Sequence, residues 1–318
     1  MFTLLNRTVL YLAHYSTKIC FQQEGHSSSH QFFAPPLTRD RTVLYLLHME
    51  QNSSVPYVKE GEDMNELITP QRFTGKNVVV IGGSKGVGRA IVAAASASGA
   101  QVLAVARKAE PLVKLADEFP GVRTLQLDAT DESAPGKVFA TLFPDVLVVC
   151  AGATPHSAPL GEQSWEQFSR NWNSDVKMAL IFSQAALTSP LASGATIILI
   201  SSGAALGGSP MSGGYSGSKR TQMFIASYAQ QEAERMKLGL RFIALAPGGI
   251  MPETDLGKAA VSTYAAFRGI SVEDFVKGLG SSQTPEDVAN AVVELASYSG
   301  SREGNVFLIS GKGIETLS

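Results

Sequence analysis

From residue 77 onward the chain alternates short apolar runs, rich in valine, isoleucine and leucine, with longer stretches whose apolar positions recur at helical spacing. The runs 77–81, 101–106, 122–127, 145–150, 195–201, 240–246 and 304–309 read as strands, because a continuous β-branched run suits a strand buried on both faces. Between them, 87–98, 109–118, 131–142, 164–189, 213–237 and 284–298 read as helices. Seven strands with intervening helices predict a single α/β domain, a doubly wound parallel sheet with right-handed crossovers. Ligands bind such sheets outside the carboxyl ends of the strands, so chemistry is expected on the loops that follow them.

Residues 1–63 break this pattern. They hold four of the five histidines (His14, His26, His30 and His48), a serine patch at 27–29, and no sustained helical or strand pattern, which divides the chain at Met64. A near-repeat runs through the segment, Arg7-Thr-Val-Leu-Tyr-Leu-Ala-His14 and Arg41-Thr-Val-Leu-Tyr-Leu-Leu-His48, and two copies are too few for a solenoid. The segment reads as a disordered, non-catalytic extension, or as an upstream extension of a reading frame whose functional start is Met64. The competing reading is an organelle presequence. The first 23 residues carry no acid and include Arg7 and Lys18, but their arginine content is low for that class.

With 318 residues, 44% of them hydrophobic, the chain can bury a sizeable core, and a formal net charge of -2 leaves no footprint for nucleic acid. Cys20 and Cys150 stand in unrelated contexts. That argues against a disulfide framework and a cysteine-based metal site, and for a reducing, cytoplasmic compartment. No apolar run is long enough to span a membrane.

The run 77–81 leads into Gly82-Gly83-Ser84-Lys85-Gly86-Val87-Gly88 and then an alanine-rich helix. Glycines spaced Gly-x-x-x-Gly-x-Gly allow a tight turn, approach of a pyrophosphate to the backbone, and close packing of helix on strand. No Gly-Lys-Ser/Thr follows, so this is not a Walker loop, and a glycine turn that binds nothing is the plainer alternative. Farther along, Tyr215 and Lys219 stand four apart, on one face of a helix, where the ammonium can stabilise a phenolate. A phenol that titrates near ~10 needs such help to exchange protons at neutral pH. Ser202 stands upstream at the end of an apolar run. Alone, a Tyr-x-x-x-Lys pair is an ordinary solvated pair on many helices; behind a strand and a glycine loop it points to hydride-transfer chemistry.

Residues 64–318 resemble the short-chain dehydrogenase/reductase family over their whole length. The glycine motif, Cys150-Ala151-Gly152 after the fourth strand, Ser202, Tyr215 and Lys219 at the family spacing, and Pro247-Gly248 after the sixth strand occur in the family's order. The resemblance implies a Rossmann-like fold and hydride transfer between a nicotinamide cofactor and a small-molecule carbonyl or alcohol. Tyr215 would be the acid in reduction and the base in oxidation, and Ser202 would bond the substrate oxygen. Ser202 is preferred to Ser201 because thirteen residues to the tyrosine is the family separation. Lys219 would depress the pKa of Tyr215 and bond the nicotinamide ribose.

Cofactor contacts would come from Gly82, Ser84, Lys85, Gly86, Val87 and Gly88, from Ala151 and Gly152, from Pro247, Gly248 and Ile250, and from Tyr215 and Lys219. Asp128 would approach the adenine amino group, with capping of the next helix as its competing use. Relatives that prefer NAD carry an acid at the end of the second strand, where this chain has Arg107 and Lys108. Together with Lys85 these cations suit a 2′-phosphate and imply NADP(H). The family also implies a homodimer or homotetramer, joined through the helices 164–189 and 213–237.

Several positions depart from the family pattern. Cys150 replaces an amide, and Pro252 stands where a threonine is common, with Thr254 two residues on. Asp175 stands where many relatives have the asparagine that supports a proton-relay water. A carboxylate there would add charge near Lys219 and remove an amide donor, unless a shifted alignment puts Asn173 in that place. The segment 251–282 is expected to form a lid, whose Tyr264, Phe267, Ile270 and Phe275 would either meet an apolar substrate or pack two lid helices together. His156 and Met211 are further pocket candidates. Two other classes compete: a nucleotide-binding sensor of the same fold, which would not need Ser202, Tyr215 and Lys219 together, and a methyltransferase, which would want an acid where Arg107 stands.

Overall fold

The computed structural model describes the backbone of Thr8–Leu12 and Leu44–His48 and, beyond them, residues 72–208, 210–280, 283–297 and 304–317. The chain divides into two units, Met1–Met64 and Asn65–Ser318. In the first, β1 (Thr8–Leu12) pairs antiparallel with β2 (Leu44–His48), placing Leu10 opposite Leu46 and Tyr11 opposite Tyr45. The near-repeat thus forms its own two-stranded ladder, where the sequence pattern suggested no strand. Its valine, leucine and tyrosine residues have the propensity, although two strands alone are marginal in water. The remaining expectations for residues 1–63 lie outside the described residues.

The second unit contains the seven expected strands, β3 (Asn77–Ile81), β4 (Gln101–Ala106), β5 (Arg123–Gln126), β6 (Val146–Val149), β7 (Thr196–Ile200), β8 (Arg241–Pro247) and β9 (Val306–Ser310). All seven run parallel. The seven-stranded, all-parallel expectation needs one correction. An eighth strand, β10 (Gly313–Thr316), folds back antiparallel on β9, and Gly313 at φ 97° supplies the left-handed backbone of the tight turn between them. The sheet order is β10-β9-β8-β7-β6-β3-β4-β5. Strand order reverses between β3 and β6, so the ligand crevice of this doubly wound, Rossmann-like sheet opens at their carboxyl ends.

The helices are α1 (Gly86–Ala97), α2 (Ala109–Glu118), α3 (Ala134–Thr141), α4 (Trp165–Ser169), α5 (Lys177–Thr188), α6 (Ala204–Gly207), α7 (Gly213–Arg235), α8 (Asp255–Arg268), α9 (Val272–Gly278) and α10 (Pro285–Ser297). Successive strand residues point to opposite faces, and the core divides by that parity. Val79, Leu103, Leu147, Ile197 and Phe242 pack with α3, α5 and α7, whereas Val78, Val102, Val148, Ile198 and Ile243 pack with α1, α2 and α10. Each such side chain contributes roughly 1.5–3 kcal/mol by leaving water, which makes the sheet a rigid base for its loops.

One predicted helix, 164–189, is three pieces: α4, a π-helical turn at Trp172–Val176, and α5. The predicted lid holds α8 and α9, and residues 281–282 lie outside the described residues. Tyr264 stacks on Phe275 with ring centroids 6.2 Å apart, while Phe267 and Ile270 are exposed. Tyr264 and Phe275 therefore pack α8 on α9. Among the described residues no helix is long and apolar enough to cross a membrane.

Candidate active site

The glycine loop and the first turn of α1 meet the end of β6 at the sheet's switch point. Gly82 turns the chain at φ 89°, a backbone open to glycine, and a Cβ there would stand 2.6 Å from the Ala151 nitrogen. A Cβ on Gly88 would stand 2.1 Å from the Gly82 carbonyl oxygen, so strand, loop and helix can close up only around glycine. No side chain caps α1 and its first turn carries no acid. The helix thus keeps its N-terminal amides for an anionic ligand, and the cradle fits a pyrophosphate.

Lys85, Arg107 and Lys108 are exposed beside this cradle. Lys114, bonded to Glu110, holds that carboxyl below its usual range, and Lys85 and Lys108 add to the effect, which places both cations near it. Asp128 is lowered first by the Thr130 N–H and hydroxyl, which its Oδ1 accepts at 3.0 and 2.8 Å, with Arg107 adding to it. Asp128 therefore closes a local turn. It does not cap the next helix, which begins at Ala134 with Ser133 as its N-cap. Lys85 reaches across to the start of α8, its Nζ 3.2 Å from Asp255 Oδ2.

Tyr215 and Lys219 rise from the first turns of α7. Lys219 is buried, and its ammonium donates to the Ile200 carbonyl at 3.1 Å and contacts Asp175 Oδ2 at 3.1 Å. It also lies 5.6 Å from the centre of the Tyr215 ring. Burial works against this charge, but the Asp175 carboxylate and then Tyr215 outweigh it, and the Lys219 pKa is held above the usual lysine value. Ser201 is buried and donates to the Lys219 carbonyl at 2.8 Å, tying α7 to β7. Ser202 is half-buried, and its hydroxyl oxygen accepts from the Ala204 N–H at 3.2 Å. Both serines thus make backbone bonds, Ser201 to α7 and Ser202 within its own turn.

Asp175 is the residue that gathers this site. The π-helical turn, an unusual geometry that recurs at functional sites, turns its side chain into the core while Asn173 faces out. Its Oδ1 accepts from the Ala153 N–H at 2.9 Å, the Ser174 hydroxyl at 2.7 Å and Asn171 Nδ2 at 3.3 Å. Its backbone carbonyl accepts from Gln222 Nε2 at 3.3 Å. A Cβ on Gly152 would fall 2.6 Å from Asp175 Oδ2, so the glycine makes room for the carboxylate. Asn171 also donates to the Ala153 carbonyl at 2.7 Å and is buried, as is Gln222. Sequence reasoning named neither. For Asn171 the available signal was an amide at the breakpoint of an otherwise amphipathic helix.

The remaining candidates lie at the rim. The Gly248 N–H donates to the Ile309 carbonyl at 2.9 Å and the Pro247 carbonyl accepts from Gly203 at 2.7 Å, which fixes the loop after β8. Ile250 packs against the cluster of Val261, Ala265 and Phe275. Thr254 caps α8, accepting from the Gly257 N–H at 2.9 Å, and its methyl would lie 3.5 Å from a Cβ on Gly86. It thus faces the glycine loop although it stands two residues late. His156 is half-buried and Met211 buried. Burial, with Asp175 assisting and Lys219 opposing, pushes the Cys150 thiol up to about 11, which leaves it a neutral packing group. Among the described residues no cluster of three histidine, cysteine or acidic side chains could hold a metal ion.

A model of the short chain dehydrogenase family matches residues 76–265. A short chain dehydrogenase from Pseudocercospora fijiensis is 30% identical over 265 residues, covering 76% of this chain and 83% of the relative. L-xylulose reductase from Bos taurus is 31% identical over 129 residues, 41% of this chain and 53% of the relative. Carbonyl reductase (NADPH) 2 from Sus scrofa is 33% identical over 112 residues, 35% of this chain and 46% of the relative. The chain spans about half the length of the L-xylulose reductases it matches.

Proposed function

Because the chain belongs to the short-chain dehydrogenase family, a family of oxidoreductases, we propose that it is an NADPH-dependent reductase of a small-molecule carbonyl, with Tyr215 as the general acid. The observation that carries this reading is the buried Lys219 ammonium, fixed between Asp175 and the Ile200 carbonyl within reach of the Tyr215 ring. Bound NADPH would supply the hydride. Tyr215 hands its phenolic proton to the substrate oxygen as charge develops there, and Ser202 holds that oxygen by a hydrogen bond. Lys219 keeps a compact positive charge beside the Tyr215 ring and has three N–H donors, of which one goes to the Ile200 carbonyl, so it can also serve the ribose hydroxyls. The amides at the start of α1 hold the pyrophosphate, and Lys85, Arg107 and Lys108 meet the 2′-phosphate. The names of the relatives, reductases of L-xylulose and of carbonyls with NADPH, agree with this substrate class and cofactor.

The test is a fluorescence titration with NADPH and NADH followed by turnover against sugar ketones, quinones and other carbonyls. Tight NADPH binding, weaker NADH binding and oxidation of NADPH by a panel member are expected. Tyr215→Phe is expected to lower turnover by about 10²–10⁴ while NADPH affinity stays within a few-fold. Full activity of that variant would remove Tyr215 from the chemistry. Binding without turnover would favour the nucleotide-sensor reading instead, for which the direct contact of Asp175 with Lys219 is the supporting observation.

A further inference from the structure

The Lys219 ammonium donates to the Ile200 carbonyl at 3.1 Å and stands in an ion pair with Asp175 Oδ2, also at 3.1 Å. The Asp175 carboxylate touches the ammonium directly, and the Asp175 backbone carbonyl accepts from Gln222. We infer that Asp175 is a positioning residue that converts Lys219 from a lone cation into half of a neutral, fixed pair, and so weakens the help that the ammonium gives to a Tyr215 phenolate. This rests on the reading of Tyr215 as the acid.

Geometry carries the inference. The carboxylate is held in place, because Oδ1 accepts from three donors and Oδ2 is paired with the buried ammonium. The groups facing the ammonium are Asp175 from the π-helical turn, Tyr215 from its own helix, the Ile200 carbonyl from β7 and the Cys150 thiol from the end of β6. Only Asp175 brings negative charge near neutrality, since the thiol is held neutral to about 11. A phenolate beside Lys219 therefore feels an ammonium whose field is partly cancelled by a carboxylate 3.1 Å from it. The chain thus gives up part of the phenolate stabilisation that an unpaired ammonium would supply and keeps the ammonium fixed in place.

Asp175→Asn and Asp175→Ser test this. Both keep an oxygen to accept from the Ala153 N–H and both remove the negative charge. The expected result is that the pH at which alcohol oxidation reaches half its plateau falls by about one unit in either variant, and that reduction declines from correspondingly lower pH. The sign follows from the charge left behind, because an unpaired Lys219 ammonium favours phenolate. The absorbance rise of tyrosinate that is missing from Tyr215→Phe should move by the same amount. That readout needs no turnover, so it tests the role of Asp175 even if no carbonyl is reduced and the proposed function fails. A reduced melting temperature with an unmoved pH profile, a shift toward higher pH, or failure of both variants to fold would each overturn the inference in favour of a purely structural Asp175.

Discussion

Gly152→Ala asks how tightly Asp175 is held. Gly152 does not adopt a positive φ, so alanine meets no backbone penalty and the whole effect comes from the added methyl. That methyl would stand 2.6 Å from Asp175 Oδ2 and 3.0 Å from its Cγ. Carbon and oxygen rest at about 3.3 Å or more, so the carboxylate must retreat by roughly 0.7 Å. It has nowhere to retreat, because its other oxygen is held by Ala153, Asn171 and Ser174, and because moving Oδ2 stretches its contact with a buried ammonium. Overpacking of a well-filled site costs about 1–3 kcal/mol, and weakening a buried ion pair adds to it. We expect a loss of about 2–4 kcal/mol, or roughly 5–10 °C in melting temperature. Chemical denaturation at neutral pH without cofactor measures the cost. Repeating it in an Asp175→Ser background, where the shorter side chain leaves room, should reduce the penalty of Gly152→Ala to under about 1 kcal/mol. Equal penalties in the two backgrounds would refute the reasoning, since the methyl would then be colliding with something other than Asp175.

Two further expectations follow from the surface. Lys85 is exposed and paired with Asp255 of α8 at 3.2 Å, an arrangement worth at most about 1 kcal/mol. Asp255→Asn frees Lys85 for a 2′-phosphate, and should tighten NADPH two- to fivefold at low salt with NADH unchanged; equal effects on both nucleotides would place Lys85 away from the 2′-phosphate. On the outer face of α7, Phe224 and Tyr228 stack with centroids 5.9 Å apart while 66% and 57% exposed, and Leu180 of α5 is exposed as well. We propose that a second copy covers this face, so Phe224→Asp should convert an oligomer into a monomer by light scattering. A wild-type monomer would exclude the proposal.

What the sequence made legible, and what it did not, has a common physical cause. Strands β3, β4 and β7 are nearly continuous apolar runs buried on both faces, and their existence and order could be read because burial determines them. The eighth strand could not, because the Gly-Ile-Glu-Thr run of β10 is half-exposed and is a strand only by pairing with β9. The Tyr215–Lys219 spacing and the glycine loop could be read because both are local, fixed by helix periodicity and by close backbone approach.

The environment of Lys219 is different in kind. Asp175 is 44 residues away from it in sequence, and whether its side chain would face the ammonium depended on a π-helical turn that no apolar periodicity announces. A regular helix over 164–189 would have carried the register of that segment through unbroken. The extra residue of the π-helical turn rotates the following helix face, and it brings Asp175 inward beside Asn171 and Gln222. Buried polar groups need partners, and Asn171 and Gln222 find theirs on Asp175, at its Oδ1 and its backbone carbonyl. The polar residues that an amphipathic reading assigns to the solvent face are therefore the ones that hold Lys219. For this fold, a polar residue that interrupts a helix pattern opposite the Tyr-Lys pair is a stronger pointer to the site's electrostatics than the pair itself, which fixes where the proton moves but not how strongly the phenolate is stabilised.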